Sequence, residues 1–204
     1  MTPDYWPEAT KHLAKHDKVL RRLIRSFPGI PELDSRGDAF QTLARSIVGQ
    51  QISVKAAQSI WARFAAAAGK VTPANVLALD EAALRACGFS GRKSAYVRDL
   101  AGRFAAGDVK PRRWRRMEDE AIIAELVEVK GIGRWTVEMF LIFHLGRPNV
   151  LPVDDLGLRR AMERQYNDGD ALDRDAMRAI AAPWAPWSSV GTWYLWRSLD
   201  PVVF

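Results

Sequence analysis

An all-α fold is predicted from three features of the sequence. Apolar residues recur at three- and four-residue spacing in nearly every segment, as they do on the buried face of a helix. Residues that commonly cap helices stand immediately before these segments. No stretch alternates apolar and polar residues with period two over a useful length, which argues against a sheet.

Capping residues mark where several helices begin. Asp38, with Gln41 three residues later, resembles a capping box and precedes a periodic apolar segment. Ser53 and Asp80 are expected to cap the helices that follow them. Asp119 is expected to cap a further helix, which ends at a glycine-containing turn.

The second half of the chain predicts four more helices. The first, at 134–145, is apolar nearly all round, which is typical of a buried central helix. The others are expected at 155–166, 173–182 and 188–199.

The composition is that of an ordinary globular protein with an excess of basic residues. The chain has 204 residues, is 48% hydrophobic and carries a net charge of +6. This charge favours an anionic partner, nucleic acid first, although a basic enzyme with solvated charges explains it equally well. Neither a signal peptide nor a run of about 20 apolar residues is present, so no membrane span and a cytoplasmic location are expected.

The single cysteine, Cys87, rules out a disulfide within the chain and a four-cysteine metal site. Its small neighbours and the glycine after it indicate a buried filler near the end of a helix.

A basic, proline-containing stretch runs from Val109 to Arg116, including Lys110 and four arginines around Trp114. One interpretation is a solvated linker, and the other is a loop that contacts phosphates. The linker is favoured, because a linear run of charge does not say which way the side chains face.

The motif Lys130-Gly131-Ile132-Gly133 separates two predicted helices. Glycine permits a positive φ, so the chain can reverse tightly there while Ile132 fills the gap between the helices. The second helix then begins with free backbone N–H groups, and bare glycines let an anion approach them. Alone, such a motif is equally well explained as a tight turn without a function.

About 20 residues later stands a pair of acidic residues, Asp154-Asp155, at the start of another predicted helix. An aspartate in this place most often caps the helix. Two successive aspartates need two explanations, and Asp154 is taken as the cap.

Together with Gly49-Gln50-Gln51-Ile52-Ser53, the hairpin and the aspartate pair resemble the helix-hairpin-helix, Gly/Pro-rich, aspartate superfamily of DNA glycosylases. The closest resemblance is to its 3-methyladenine DNA glycosylase II branch, and it runs from about Asp38 to Trp196. It implies a single compact unit of two helical lobes with a DNA-binding cleft between them. One lobe, roughly 35–145, holds the hairpin at 126–136, and the other combines 1–34 with 146–204.

The resemblance implies the chemistry. Asp155 corresponds to the catalytic carboxylate, which stabilises positive charge at C1′ and orients or deprotonates water. Trp135 stands where bifunctional relatives carry the lysine that forms a Schiff base, so this chain resembles a monofunctional enzyme that leaves an abasic site.

The resemblance also implies the binding residues. Trp135, Trp196 and Met139 match positions that line the base pocket, where indole faces attract cationic alkylated purines at about 0.5–2 kcal/mol per contact. Gln51 matches the residue that fills the gap left by a flipped base, although a purely polar turn with Gln50 bonded to the backbone remains the alternative. The phosphate anchor comprises Gly131, Ile132, Gly133 and Arg134.

The implied partner is double-stranded DNA with alkylated bases, bound by a monomer. No side-chain metal site and no cofactor are expected, apart from a monovalent cation that relatives hold at the hairpin carbonyls. Two other functions stay open: a non-catalytic helix-hairpin-helix DNA-binding module, and a glycosylase for oxidised or mismatched bases.

Overall fold

The computed structural model of the protein describes residues 3–28 and 38–199. Within these ranges the chain forms α-helices and one short 3-10 helix and no strand, so the all-α prediction is confirmed. The helices are α1 (Trp6–His16), α2 (Lys18–Ser26), α3 (Ala39–Gly49), α4 (Val54–Ala68), α5 (Pro73–Ala78), α6 (Glu81–Ala86), α7 (Gly91–Ala106), α8 (Pro111–Trp114), α9 (Asp119–Leu126), α10 (Arg134–Phe143), α11 (Leu156–Tyr166), α12 (Arg174–Ala181) and α13 (Ser188–Leu199), with the 3-10 helix at Ala182–Trp184.

The chain divides into two compact units. The first, which we call the hairpin unit, is Ser35–Phe140, and the second, the aspartate unit, combines Met1–Asp34 with Leu141–Phe204. The boundary therefore falls inside α10, earlier than residue 145. In neither described range is any helix both long and apolar enough to cross a bilayer.

Predicted capping residues begin three helices of the hairpin unit. The side chains of Asp38, Ser53 and Asp80 each accept a backbone N–H of the following turn, at 2.7–3.3 Å. The prediction for Asp119 is wrong, because Glu118 occupies the capping position of α9 without a side-chain cap and Asp119 is the first helical residue. A carboxylate in the first turn still stabilises a helix through its dipole, which explains the same sequence signal.

Helix α7 organises the hairpin unit. It packs against α3, α5 and α6 and buries Val97, Leu100 and Ala101. Trp61 and Cys87 are both buried in this unit, as the sequence predicts.

The core of the aspartate unit joins its N-terminal helices to its C-terminal ones. Trp184 is fully buried there, as predicted, and its indole Nε1 donates to Asp17 Oδ2 at 2.9 Å. The hydroxyl of Tyr166 donates to the same oxygen at 2.8 Å. Burial, followed by the negative charge of Asp17, raises the pKa of Tyr166 well above its usual range. These bonds connect the start of α2 to the end of α11 and to the 3-10 helix, and so help to fix the position of α11.

Candidate active site and nucleic-acid interface

The carboxylate of Asp155 is held in one orientation by two hydrogen bonds. Asp155 caps α11, and its Oδ1 accepts the backbone N–H of Leu158 at 2.6 Å. The same oxygen accepts the indole Nε1–H of Trp196 at 2.7 Å. Neither of these bonds uses Oδ2. Bonds between a neutral donor and a carboxylate are strong, so together they fix the direction of the second oxygen.

The sequence assigned the cap to the wrong aspartate. Asp154 does not cap α11; its Oδ1 lies 2.6 Å from Nε of Arg174, at the start of α12. The reason is the local turn, in which the N–H of Asp155 donates to Pro152 O and the helix begins at Leu156. The cap uses Oδ1, so capping does not by itself exclude the catalytic role that the resemblance implies for Asp155.

Helix α13 holds the loop before Asp155 as well as Asp155 itself. At its start, Ser189 Oγ accepts the N–H of Val150 at 2.9 Å and donates to Arg147 O at 2.7 Å. Trp196 follows about two helical turns later and hence on the same face. One rigid face therefore sets both the path of the loop and the position of the carboxylate.

Trp196 does not have the environment expected for a base-stacking residue. Only 6% of it is exposed, and its ring stacks on Phe143 with centroids 5.7 Å apart and planes 16° apart. A Cβ added to Gly157 would lie 3.1 Å from Asp155 Oδ1 and 3.3 Å from Trp196 Cδ1, so this glycine leaves room for their hydrogen bond. The structure therefore favours Trp196 as a positioning residue for Asp155.

For the base release that the resemblance implies, we expect Trp196→Phe to slow the reaction by about 10-fold to 100-fold, which corresponds to loss of a 1.5–3 kcal/mol hydrogen bond to a charged group. Phenylalanine keeps the aromatic ring but removes the N–H that holds Asp155. The single-turnover rate and the affinity for duplex DNA should be measured separately. We expect the rate to fall and the affinity to stay the same. A base-stacking role predicts a small change instead, because phenylalanine also stacks.

Trp193→Phe is the matched control for this variant. Trp193 lies three residues earlier on α13, and its ring packs edge-on against Trp6. Trp187 likewise stacks on Tyr5, so both of these tryptophans pack on the N-terminal segment. A Trp196→Phe rate equal to that of the control would contradict the positioning role.

In the hairpin unit, α9 and α10 flank the predicted hairpin. Gly131 has a φ of +80°, and an added Cβ would overlap the ring of Tyr96. Ile132 is buried, so the prediction that it fills the gap between the helices is confirmed. Gly133 accepts the N–H of Val137 at 3.2 Å and has nothing within 4 Å of an added Cβ. Open space at the start of α10 leaves its first N–H groups approachable by an anion.

Arg134, which the sequence predicts among the DNA contacts, forms ion pairs within the hairpin unit. Its guanidinium forms two hydrogen bonds with the carboxylate of Glu120, and its Nε donates to Glu138 Oε1 at 3.0 Å. The hydrogen bond with Glu120 raises the pKa of Arg134 and lowers that of Glu120. The structure therefore favours Arg134 as a brace between α9 and α10.

The turn between α3 and α4 is fastened to the hairpin. Gln51 is exposed and has a φ of +59°, an uncommon conformation for a residue other than glycine. Its neighbour Gln50 donates from Nε2 to Gly131 O at 2.7 Å. The sequence left open whether Gln50 bonds the backbone. It does so, and its acceptor belongs to the hairpin, which fixes the turn beside Gly131.

Three residues of α7, spaced by three, support both elements, and sequence reasoning missed them. Lys93 Nζ donates to Val48 O and Gln50 O, each at 2.7 Å, and desolvation by burial lowers its pKa. Tyr96 lies against Gly131, and Asp99 Oδ2 accepts the N–H of Lys130 at 3.0 Å. The three-residue spacing places them along one helix face, a signal that identifies no partner on its own.

Trp135 and Met139 lie one turn apart on α10. Trp135 is 47% exposed, which is uncommon for a residue of its size. Met139 is half-buried. An exposed indole in the first turn of α10 is the kind of surface on which a base can stack.

The residues present do not identify a donor set for the monovalent cation that the resemblance implies. Two carbonyls of the hairpin already accept hydrogen bonds: Gly131 O from Gln50, and Val129 O from the N–H of Ile132 at 3.0 Å.

The chain is similar to known proteins over most of its length. The family model of HhH-GPD superfamily base excision DNA repair proteins matches residues 44–186. DNA-3-methyladenine glycosylase 1 of Schizosaccharomyces pombe is 31% identical over 197 residues, which cover 94% of this chain and 86% of that protein.

Two solved structures are similar along nearly the full length. The 3-methyladenine DNA glycosylase of S. pombe in complex with abasic DNA is 31% identical, with a TM-score of 0.81 over 94% of this chain and 96% of that one. A DNA-3-methyladenine glycosidase of Bacillus halodurans is 34% identical, with a TM-score of 0.87 over 97% and 91% of the two chains. The predicted resemblance is thereby confirmed: the chain belongs to the HhH-GPD superfamily of base excision DNA repair proteins.

Proposed function

We propose that this protein is a monofunctional DNA-3-methyladenine glycosylase, which binds duplex DNA as a monomer and releases N3- or N7-alkylated purines. The single observation that carries the proposal is the carboxylate of Asp155, held through Oδ1 by Leu158 and Trp196. A structural cap needs only the first of these bonds. The second bond, from the buried indole of Trp196, additionally fixes the orientation of the carboxylate, which a catalytic role requires.

The reaction is hydrolysis of the bond between base and sugar. This bond breaks, its electron pair leaves with the alkylated base, and C1′ acquires oxocarbenium character. The negative charge of Asp155 stabilises that carbon, which is worth most when the charge is already oriented. Water then attacks C1′ and loses a proton, with Asp155 as the base that orients it. The products are the free base and an abasic sugar.

The hairpin unit supplies recognition in this proposal. The start of α10, with Gly133 open to solvent, binds a backbone phosphate and positions the protein without selecting sequence. The exposed face of Trp135 stacks on the extruded base, and a cationic purine gains about 0.5–2 kcal/mol from that contact. Gln51, exposed and fixed by its neighbour Gln50, fills the gap that the base leaves.

The test is the set of products from methylated duplex DNA. We expect release of 3-methyladenine and 7-methylguanine, with abasic sites that become nicks only after alkaline or lyase treatment. Intact strands are expected because Trp135 has no amine with which to form a Schiff base. Binding without release would support a non-catalytic DNA-binding module. Release confined to an oxidised or mismatched base would support a glycosylase for those bases instead.

A further inference from the structure

The basic stretch is not the solvated linker that the sequence favours. It forms the short helix α8, whose Trp114 is only 1% exposed. The indole Nε1 donates to Glu125 Oε1 at 2.8 Å, and the ring lies edge-on against Phe140 at 5.4 Å. Two buried side chains, Val109 and Trp114, thus anchor a segment in which five of the eight residues are basic.

Four arginines surround this anchor and point to solvent, and we call them the arginine cluster: Arg112, Arg113, Arg115 and Arg116. With Met117 they line an open depression of about 560 Å³. Across residues 3–28 and 38–199, no salt bridge joins any of the four to a carboxylate.

Two of the acidic residues that follow the cluster are engaged with other groups, whereas Glu118 is exposed two residues after Arg116. Glu125 accepts the Trp114 indole, and it also accepts the backbone N–H of Lys110. Glu120 is bonded to Arg134. The short helix α8 and the two residues after it therefore place four guanidinium groups side by side at the surface, where they repel one another until an anion binds.

We propose that the arginine cluster is a second contact surface for the phosphate backbone of duplex DNA, separate from the hairpin. This inference rests on the proposed function, because it takes duplex DNA as the partner. Guanidinium groups bind phosphate through paired hydrogen bonds, and a duplex offers a regular row of phosphates to a row of arginines.

The position of α8 is compatible with one duplex reaching both surfaces. Glu125, which holds Trp114, precedes Gly131 by six residues along the chain. Six residues span at most about 20 Å, which is the length of roughly six base pairs. The cluster would add contacts beside the lesion without touching a base, so its effect should be the same for damaged and undamaged DNA.

The test is the salt dependence of binding to an undamaged 30-base-pair duplex, measured by fluorescence anisotropy. Affinity falls with salt, and the steepness of that fall is the slope of log affinity against log salt. We expect this slope to become less steep by about 2 to 4 in a variant that combines Arg112→Gln, Arg113→Gln, Arg115→Gln and Arg116→Gln. Each lost phosphate contact lowers that slope by about 0.9. Affinity at low salt should fall by about tenfold or more, and the melting temperature of the protein should not fall, because removing like charges relieves repulsion within the cluster.

The matched control removes the same charge from the N-terminal helices through Lys11→Gln, Lys15→Gln, Lys18→Gln and Arg25→Gln. These four side chains are exposed, and no salt bridge among the described residues involves them. Equal slopes for the two variants would overturn the inference, because net charge alone would then explain the effect. A wild type with an arginine-dependent slope that releases no base would overturn the proposed function alone.

Discussion

Asp155→Asn should lower the rate of base release from methylated duplex DNA by about 10²-fold to 10⁴-fold, with folding and DNA affinity retained. Asparagine caps a helix as well as aspartate does, and its side-chain oxygen still accepts the N–H groups of Leu158 and Trp196. What disappears is the negative charge beside C1′ and the base for water, each of which contributes on this scale. Single-turnover release of 3-methyladenine, measured with saturating enzyme, reports this loss directly.

The adjacent aspartate provides a control that differs by one position. Asp154→Asn removes the same charge, but it loses only an exposed ion pair with Arg174, worth about 0–1 kcal/mol. Its rate should stay close to that of the wild type. If Asp155→Asn is as active as Asp154→Asn, then Asp155 merely caps α11 and the proposed chemistry is wrong.

Local signals in the sequence predict most of the helices. The side chains of Asp38, Ser53 and Asp80 cap their helices as expected, because a cap depends on residues only three positions apart. The same signal fails at Asp119 and at Asp154, each one residue from the true capping position. A carboxylate stabilises a helix start from either position, so composition alone does not fix the boundary.

Contacts between distant segments are what the sequence does not reveal. The bond from Gln50 to Gly131 joins residues 81 positions apart, and that from Trp196 to Asp155 joins residues 41 apart. The resemblance predicts that Trp196 lines a base pocket, and only its burial and its N–H partner indicate that it holds the carboxylate of Asp155. Burial also determines the structure of the basic stretch. The sequence favours a linker there, but the buried side chain of Trp114 anchors a short helix.

Gly131→Ala and Gly133→Ala should separate the folding role of the hairpin from its binding role. Alanine at 131 must adopt a φ of +80°, at about 1–2 kcal/mol, and must displace the ring of Tyr96, at about 1–3 kcal/mol more. We therefore expect the free energy of unfolding, measured by urea denaturation, to fall by about 2–5 kcal/mol. Adding Tyr96→Ala should recover only the part due to overlap, and a double-mutant cycle measures that part.

Alanine at 133 meets no neighbouring atom, so its stability should change by less than about 1 kcal/mol. Its methyl group would nevertheless stand where a phosphate approaches the start of α10, so affinity for duplex DNA should fall. The slope of log affinity against log salt should become less steep by about 0.9, the contribution of one phosphate contact. Gly102→Ala, inside α7 with equally open surroundings, is the control for the substitution itself and should leave DNA affinity unchanged. If Gly133→Ala binds duplex as tightly as Gly102→Ala does, the start of α10 is not the phosphate anchor. The second glycine would then serve only the turn, although the space around it would accept a side chain.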